Sequence, residues 1–182
     1  GTPFLMKGMK MLLDIRNSKV PHYKGVTKLK AIGETAVTAV EAQCGDKKLT
    51  FPAELLLVHF GVIPDSHIYR LTGCHMEWEK TQRYWYPSTD EWGRTNFEKI
   101  FGAGDGTGVS GALAAEYKGE LAALEIAHCH GIIPKYERDN LALEPMGKLK
   151  KDGYPRPLVD AVFAPDPKRF SFEDTTILCR CE

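Results

Sequence analysis

The chain has 182 residues, which is enough for one ordinary domain with an appendage but crowded for two. Hydrophobic residues make up 43% of the chain and charged residues 26%, a composition that excludes a disordered or collagen-like protein. The 24 basic residues balance the 24 acidic ones, so no excess positive charge indicates nucleic acid or an anionic membrane surface as a partner.

The sequence predicts neither a membrane-spanning helix nor a disulfide-bonded secreted protein. The longest apolar run, residues 53–63, falls short of the roughly 18 to 20 residues that a membrane helix needs. Five cysteines form an odd set without regular spacing, which favours a reducing compartment, and we expect a soluble, cytoplasmic protein. The first residues lack the layout of a signal peptide and look like a cut inside a longer protein.

The first third of the chain predicts a helix followed by strands. Apolar residues recur at helical spacing between Phe4 and Ile15, which predicts an amphipathic helix. Val26–Ile32, Ala36–Cys44 and Lys47–Phe51 read as strands of an antiparallel meander joined by glycine turns. Leu55–Phe60 is continuously apolar, and we expect it to form a strand buried on both faces of an open sheet.

The middle of the chain predicts a short helix, a hairpin and a strand-loop-helix unit. Ser66 is expected to cap a helix that runs to Leu71, and Met76–Glu79 and Arg83–Tyr86 are expected to form an aromatic hairpin. A strand at Lys99–Phe101 then meets a glycine-rich loop, and an Ala-rich helix follows over Ser110–His130.

The chain beyond Gly131 is rich in proline. Six of them lie between Pro134 and Pro167, which favours a surface connector over a new core element.

The glycine loop offers a site for a phosphate or a sugar. A helix N-terminus carries unpaired N–H groups, and glycines ahead of it let a ligand reach them. Gly106–Gly111 matches G-x-G-x-x-G, but a dinucleotide fingerprint also needs a second strand ending in an acid about 20 residues on. Glu125 has that spacing but falls inside the predicted helix. Asp105 can accept hydrogen bonds from ligand hydroxyls, or it can simply cap the helix, and the residues alone leave both open.

Four motifs in sequence order resemble a known family. They are Leu55–Pro64, Thr89–Thr95, Ile100–Gly106 and Ala114–Ala123, within a likeness that covers residues 4–132. They resemble the C-terminal half of the FAD-dependent pyridine nucleotide-disulphide oxidoreductases. Within that superfamily the chain is similar to the alpha-type subunits of opine oxidase, hydroxyproline dehydrogenase and hydrogen cyanide synthase.

The resemblance implies where FAD would be held. The Gly104-Asp105-Gly106 segment would hold the ribityl and phosphate part of FAD, and the amides of Gly111 and Ala112 would face the flavin. It also implies an incomplete α/β, three-layer nucleotide-binding fold with an antiparallel meander and a proline-rich C-terminal connector.

The implied domains divide the chain in three. Residues 1–65 would be the later part of an NAD-type domain, residues 66–132 the end of the FAD domain, and residues 133–182 a connector. In the family a small residue, here Gly119, packs against the nucleotide fold. Neither nucleotide fingerprint of the family is present, so this chain alone would contact FAD without enclosing it.

The terminal Cys179-x-Cys181 resembles the start of a [2Fe-2S] module in these subunits. Two thiolates cannot hold a cluster that needs four ligands, and Cys129 is an unsuitable third because it lies in a helix beside histidines. Cys74 with His75 lacks a second pair at metal spacing.

The remaining candidates favour structural roles. The aromatic cluster Trp78–Trp92 is more typical of hairpin packing than of base or flavin stacking, and His59 is more typical of a core histidine than of a base. No nucleophile elbow supports hydrolysis.

The resemblance implies that the parent protein oxidises a small amine or amino-acid derivative through FAD. Electrons would pass to an iron-sulfur centre or to a second flavoprotein subunit. An NAD(P)H-dependent flavin reductase and a non-catalytic docking module are the alternatives. No catalytic acid or base is singled out.

Overall fold

A computed structural model of the chain describes residues 2–59 and 61–166. The chain divides into two compact units, Gly1–Phe60 and Gly61–Glu182. The first contains a helix and a three-stranded sheet, and the second contains a hairpin and most of the helices. The α/β class is therefore confirmed, whereas the nucleotide-binding fold and the three domain assignments stay predictions.

The meander of the first unit has the expected topology. Strands β1 (Val26–Ile32), β2 (Ala39–Cys44) and β3 (Lys47–Pro52) pair antiparallel in the order β1-β2-β3. Alternate residues of the central strand point to one face, and on β2 these are the buried Val40 and Ala42. Alternation and the two turns are local signals, which is why the sequence predicts this sheet well.

The predicted N-terminal helix is present as α1 (Thr2–Asn17). Its apolar face is exposed, with Met9 at 64% and Leu12 at 62%. The helical spacing was therefore a correct guide to the helix but not to burial.

The strand predicted at Leu55–Phe60 is wrong over its described residues. Residues 55–59 form no strand, and Leu55 and Leu57 are 72% and 83% exposed. A strand that is buried on both faces needs neighbouring strands at its edges and helices on its faces. Every strand pairing among the described residues is antiparallel, so they provide no such sheet.

The second unit begins with α2 (His67–Leu71) and the hairpin of β4 (Met76–Glu79) and β5 (Tyr84–Pro87), both close to the predicted bounds. Ser66 is the N-cap residue of α2, but its side chain makes no capping hydrogen bond. Instead the Asp65 carboxylate accepts a hydrogen bond from the His67 N–H at 3.4 Å.

Two long helices complete this unit, in the region where the sequence predicts a surface connector without a core element. Helix α3 (Ala112–Cys129) packs against α4 (Lys135–Gly153), and a short α5 (Arg156–Val162) follows. Leu121 of α3 and Ala142 of α4 are each only 1% exposed, so the region after Gly131 does add to a core.

The prolines explain why the sequence pattern is misleading there. Pro134 and Pro155 are the N-cap residues of α4 and α5, positions next to the first turn, where a missing N–H costs nothing. Pro145 lies inside α4, where proline normally disrupts a helix, and it is fully buried. Over the described residues, none of the helices is both long enough and apolar enough to cross a membrane.

Candidate functional site

The glycine loop follows a hydrogen-bonded turn and not a full strand. The strand predicted at Lys99–Phe101 is reduced to a single antiparallel bridge between Phe101 and Arg94. Two backbone hydrogen bonds close the turn, from the Thr95 N–H to the Ile100 carbonyl at 3.1 Å and from the Gly102 N–H to the Gly93 carbonyl at 2.7 Å.

The loop itself is a 3₁₀ turn over Gly104–Thr107, followed by an extended segment and then α3. The Thr107 hydroxyl donates to the Gly104 carbonyl at 2.9 Å, and the Gly108 N–H donates to the Asp105 carbonyl at 3.1 Å. The loop therefore precedes the helix as predicted. The loop contains a 3₁₀ turn that the sequence analysis did not predict.

Asp105 is exposed and does not cap α3. Among the described residues, its carboxylate accepts only a long hydrogen bond, 3.5 Å, from the Ser110 N–H, which lies ahead of the helix. The N-cap residue of α3 is Gly111, and no side chain in the described part of the chain caps the first turn of the helix. The first amides of α3 therefore keep their capacity to bind a ligand.

Two of the candidate glycines have backbone conformations that favour glycine. Gly104 has φ +68° and Gly111 has φ +104°, in the region that side chains other than glycine rarely adopt. A Cβ at Gly111 would meet nothing within 4 Å, so the space beside the helix start is open. The close packing predicted at Gly119 is not observed in the described part of the chain, since a Cβ there would also meet open space.

Two tyrosines pack against the glycine loop. The Tyr69 ring lies beside Gly102 and Gly106, and the phenol oxygen of Tyr84 lies beside Gly108. Burial raises the pKa of both tyrosines, and the nearby backbone N–H groups of Ala103 and Val109 offset part of that rise. Both phenols therefore stay neutral and fix the loop without adding charge.

Lys118 holds the loop from the helix side. Its ammonium donates to the Gly108 carbonyl at 3.1 Å, and the hydroxyls of Thr107 and Ser110 lie 3.4 and 3.5 Å away. Burial lowers the pKa of Lys118, and the negative charge of Asp105 offsets part of that effect. Sequence reasoning missed this lysine, although its position seven residues after Gly111 places both on one face of α3.

The lowered pKa of Lys118 should make the free energy of unfolding depend on pH. An unfolded lysine keeps its proton up to its ordinary pKa of 10.5, whereas the folded state releases it at a lower pH. Between the two values the unfolded state binds more protons, so this group makes stability rise with pH across that window. We expect the free energy of unfolding of the parent, relative to Lys118→Met, to increase from about pH 7 to about pH 10 in urea titrations. The exposed Lys151→Met variant is the control, and a pH-independent difference for Lys118→Met would contradict the assignment.

A buried ion-pair cluster is centred on Glu125, two turns further along α3 than Lys118. Glu125 is 2% exposed, and its two carboxylate oxygens bind Arg94 and Arg138, with the Arg94 Nε at 2.8 Å. The Arg138 guanidinium also lies 4.1 Å from the centre of the Trp92 ring. Glu125 is therefore a structural residue, which agrees with the expectation that it is not the acid of a dinucleotide fingerprint.

The pKa of Glu125 follows from this cluster. Burial alone would raise the pKa, but the hydrogen bonds and charges of Arg94 and Arg138 outweigh burial and leave the pKa below its ordinary value of 4.5. Glu125 is therefore ionised at neutral pH. Its ion pairs connect α3 to the 90–101 segment and to α4.

The other candidates have mixed outcomes. His59 is exposed, so its predicted place in a core is wrong. Trp78 and Trp85 pack against each other across the hairpin with ring centres 5.3 Å apart, as predicted. Cys74 is buried with the Thr72 hydroxyl 3.4 Å from its sulfur. The described residues contain no group of three or more metal-binding side chains, while Cys179 and Cys181 lie outside the described residues.

Three curated proteins, all named as the same subunit of opine oxidase, are similar to the whole of this chain. The one from Agrobacterium tumefaciens (strain Ach5) is 33% identical, one from Rhizobium meliloti is 31% identical, and one from Rhizobium meliloti (strain 1021) is 29% identical. Each likeness covers 100% of this chain but only 36%, 34% and 39% of the relative. The chain thus spans a little over a third of the length of these proteins. No protein-family model matches it, and no solved structure matches it significantly.

Proposed function

We propose that this chain is part of an FAD-dependent oxidoreductase that oxidises a small amine or amino-acid derivative. The observation that carries the proposal is the open start of α3, where uncapped amides lie beside an exposed carboxylate. The similarity to proteins named as opine oxidase subunits supports an oxidoreductase.

The residues of the glycine loop fit the middle of a flavin nucleotide. The amides of Gly111 and Ala112 can donate to phosphate oxygens, which the positive end of the helix also favours. The Asp105 carboxylate can accept hydrogen bonds from the ribityl hydroxyls. The open space at Gly111 allows the close approach of the ligand to the backbone, while Gly104 and Gly106 shape the loop.

The chain's own residues would bind and orient the cofactor. Lys118, Tyr69 and Tyr84 hold the loop in one shape before a ligand arrives, so little ordering cost is left for binding. Bound FAD would supply the redox chemistry. The described residues provide no side chain that we assign as a catalytic acid or base.

The relatives' names also support a partner. Each name denotes one subunit of an oxidase, which indicates that such oxidases contain other subunits. We propose that electrons leave FAD for a partner flavoprotein subunit or for a [2Fe-2S] centre to which Cys179 and Cys181 contribute. NAD(P) binding by a longer protein stays an expectation, and so does a cytoplasmic location.

The proposed site can be tested on the native protein that carries this sequence. We expect the purified protein to show the visible absorbance of a flavin and to release FAD on denaturation. Asp105→Asn should weaken FAD binding by about tenfold, since it removes a charge-assisted hydrogen bond. The measurement is a fluorescence titration of the apoprotein with FAD.

The exposed Asp152→Asn variant is the control and should bind FAD as the parent does. A colourless protein that does not take up added FAD would contradict the proposal and favour a docking module. Rapid oxidation of NAD(P)H by the yellow protein would favour a flavin reductase.

A further inference from the structure

A cleft of about 360 Å³ opens at the C-terminal end of α3. Phe101 and Ile126 provide apolar surface in it, and Arg94, Lys99 and His130 provide polar groups. Its volume lies within the range of small-molecule sites, roughly 300 to 1,000 Å³, and its mixed lining is typical of them.

The cations of this cleft keep donors that no described residue uses. The Arg94 guanidinium donates to Glu125 through Nε and Nη2, and to the Cys129 sulfur through Nη2 at 2.9 Å. Its Nη1 makes no hydrogen bond within residues 2–59 and 61–166. The Lys99 ammonium likewise has no ion pair with a described residue. Both cations can therefore bind an added anion.

The cleft can accept one negative charge at these unused donors but not two. Arg94 and Lys99 carry two positive charges and Glu98 carries one negative charge, so these three lining residues leave an excess of one. Behind the lining, Glu125 and Asp139 add two negative charges and Arg138 adds one positive charge, so the whole cluster is neutral. A dianion would meet repulsion from Glu98 and Glu125.

The negative end of the α3 dipole opposes an anion here, but its effect is reduced. The last carbonyls of the helix already accept hydrogen bonds, those of Ile126, Ala127 and His128 from the backbone N–H groups of residues 130–132. The dipole of a capped helix end is weaker than a charge-assisted hydrogen bond to a carboxylate. The unused donors of the two side-chain cations therefore favour an anion over a neutral ligand.

We infer that this cleft binds a small organic monocarboxylate. The carboxylate lies at Arg94 and Lys99, and the apolar body lies against Phe101 and Ile126. The inference is independent of the proposed flavin site, because it uses none of the glycine-loop residues that would contact FAD.

Benzoate is a suitable probe, and benzyl alcohol is its neutral counterpart of nearly the same shape. We expect isothermal titration calorimetry on the 182-residue chain to show saturable benzoate binding and affinity for benzyl alcohol lower by about tenfold or more. Lys99→Met should reduce the benzoate affinity by about tenfold, whereas Lys80→Met, at an exposed hairpin turn, should leave it unchanged. Thermal denaturation of both variants checks that they fold.

Cys129 gives a second measurement, because its thiol also lines the cleft. Benzoate should slow the alkylation of Cys129 by iodoacetamide, followed by peptide mass spectrometry, and leave the alkylation of Cys44 unchanged. Equal binding of benzyl alcohol and benzoate would overturn the inference, and so would equal effects of the two lysine variants. Tighter binding of inorganic phosphate than of benzoate would also overturn it.

Discussion

Glu125→Ala should destabilise the second unit by about 3 kcal/mol. The substitution removes a carboxylate that is 2% exposed and leaves the Arg94 and Arg138 guanidiniums facing each other without their shared anion. Arg138 bears most of this cost, since its side chain is only 10% exposed, while Arg94 at 36% is partly solvated. Urea denaturation followed by circular dichroism measures the loss.

Two further variants make this test specific. Glu116→Ala removes an exposed carboxylate from the same helix and should change stability by less than about 0.5 kcal/mol. Glu125→Gln keeps the shape of the side chain but not its charge.

The pH dependence of stability gives a second check on Glu125. The folded-state pKa is lowered, so its contribution is fully present above 4.5 and is lost as the pH falls through the lower folded value. Glu125→Gln should remove that loss. Equal stabilities of Glu125→Ala and Glu116→Ala would show that the cluster contributes nothing.

Gly93→Ala should cost about 3 kcal/mol, because it combines backbone strain with a collision. Gly93 has φ +80°, and a Cβ there would lie closer to the Gly102 carbonyl oxygen than real Cβ atoms approach. The oxygen belongs to the backbone at the start of the glycine loop, so it cannot rotate away as a side chain would. The Ala122 methyl group, 3.5 Å away, limits movement in the other direction.

Gly131→Ala separates the two causes. Gly131 also has positive φ, +69°, but a Cβ there would meet nothing within 4 Å. It should therefore show only the strain, about 1 kcal/mol. Both variants are compared by urea denaturation, and equal losses would mean that the Gly93 contact relaxes without cost. The collision should also weaken FAD binding if the glycine loop holds the cofactor as proposed.

Local patterns predicted those parts of the fold that depend on neighbours in sequence. The meander and the β4-β5 hairpin follow from alternation and turn residues, and α3 follows from an Ala-rich run. The prediction for Leu55–Phe60 failed because an apolar run shows only that burial is favoured. It does not show which strands provide the burial.

The candidate site was predictable only in part for a related reason. Glycines and Asp105 mark the loop in the sequence itself, but the groups that hold the loop come from elsewhere. Tyr69 lies on α2 and Tyr84 on β5, and no local motif connects them to residues 103–109. Helix α4 was missed because its prolines were counted as helix breakers, although proline is common at helix starts.

Helix α3 joins the glycine loop at its first residue to the cleft at its last. Its 18 residues span about 27 Å, but the two sites are also connected by a much shorter path, since Phe101 of the cleft lies three residues before Gly104. Energetic coupling between the two ligands can therefore pass through a displacement of this short backbone segment or of the helix. The ion pairs of Glu125 oppose such a displacement, so occupancy of one end should leave the affinity at the other end unaltered.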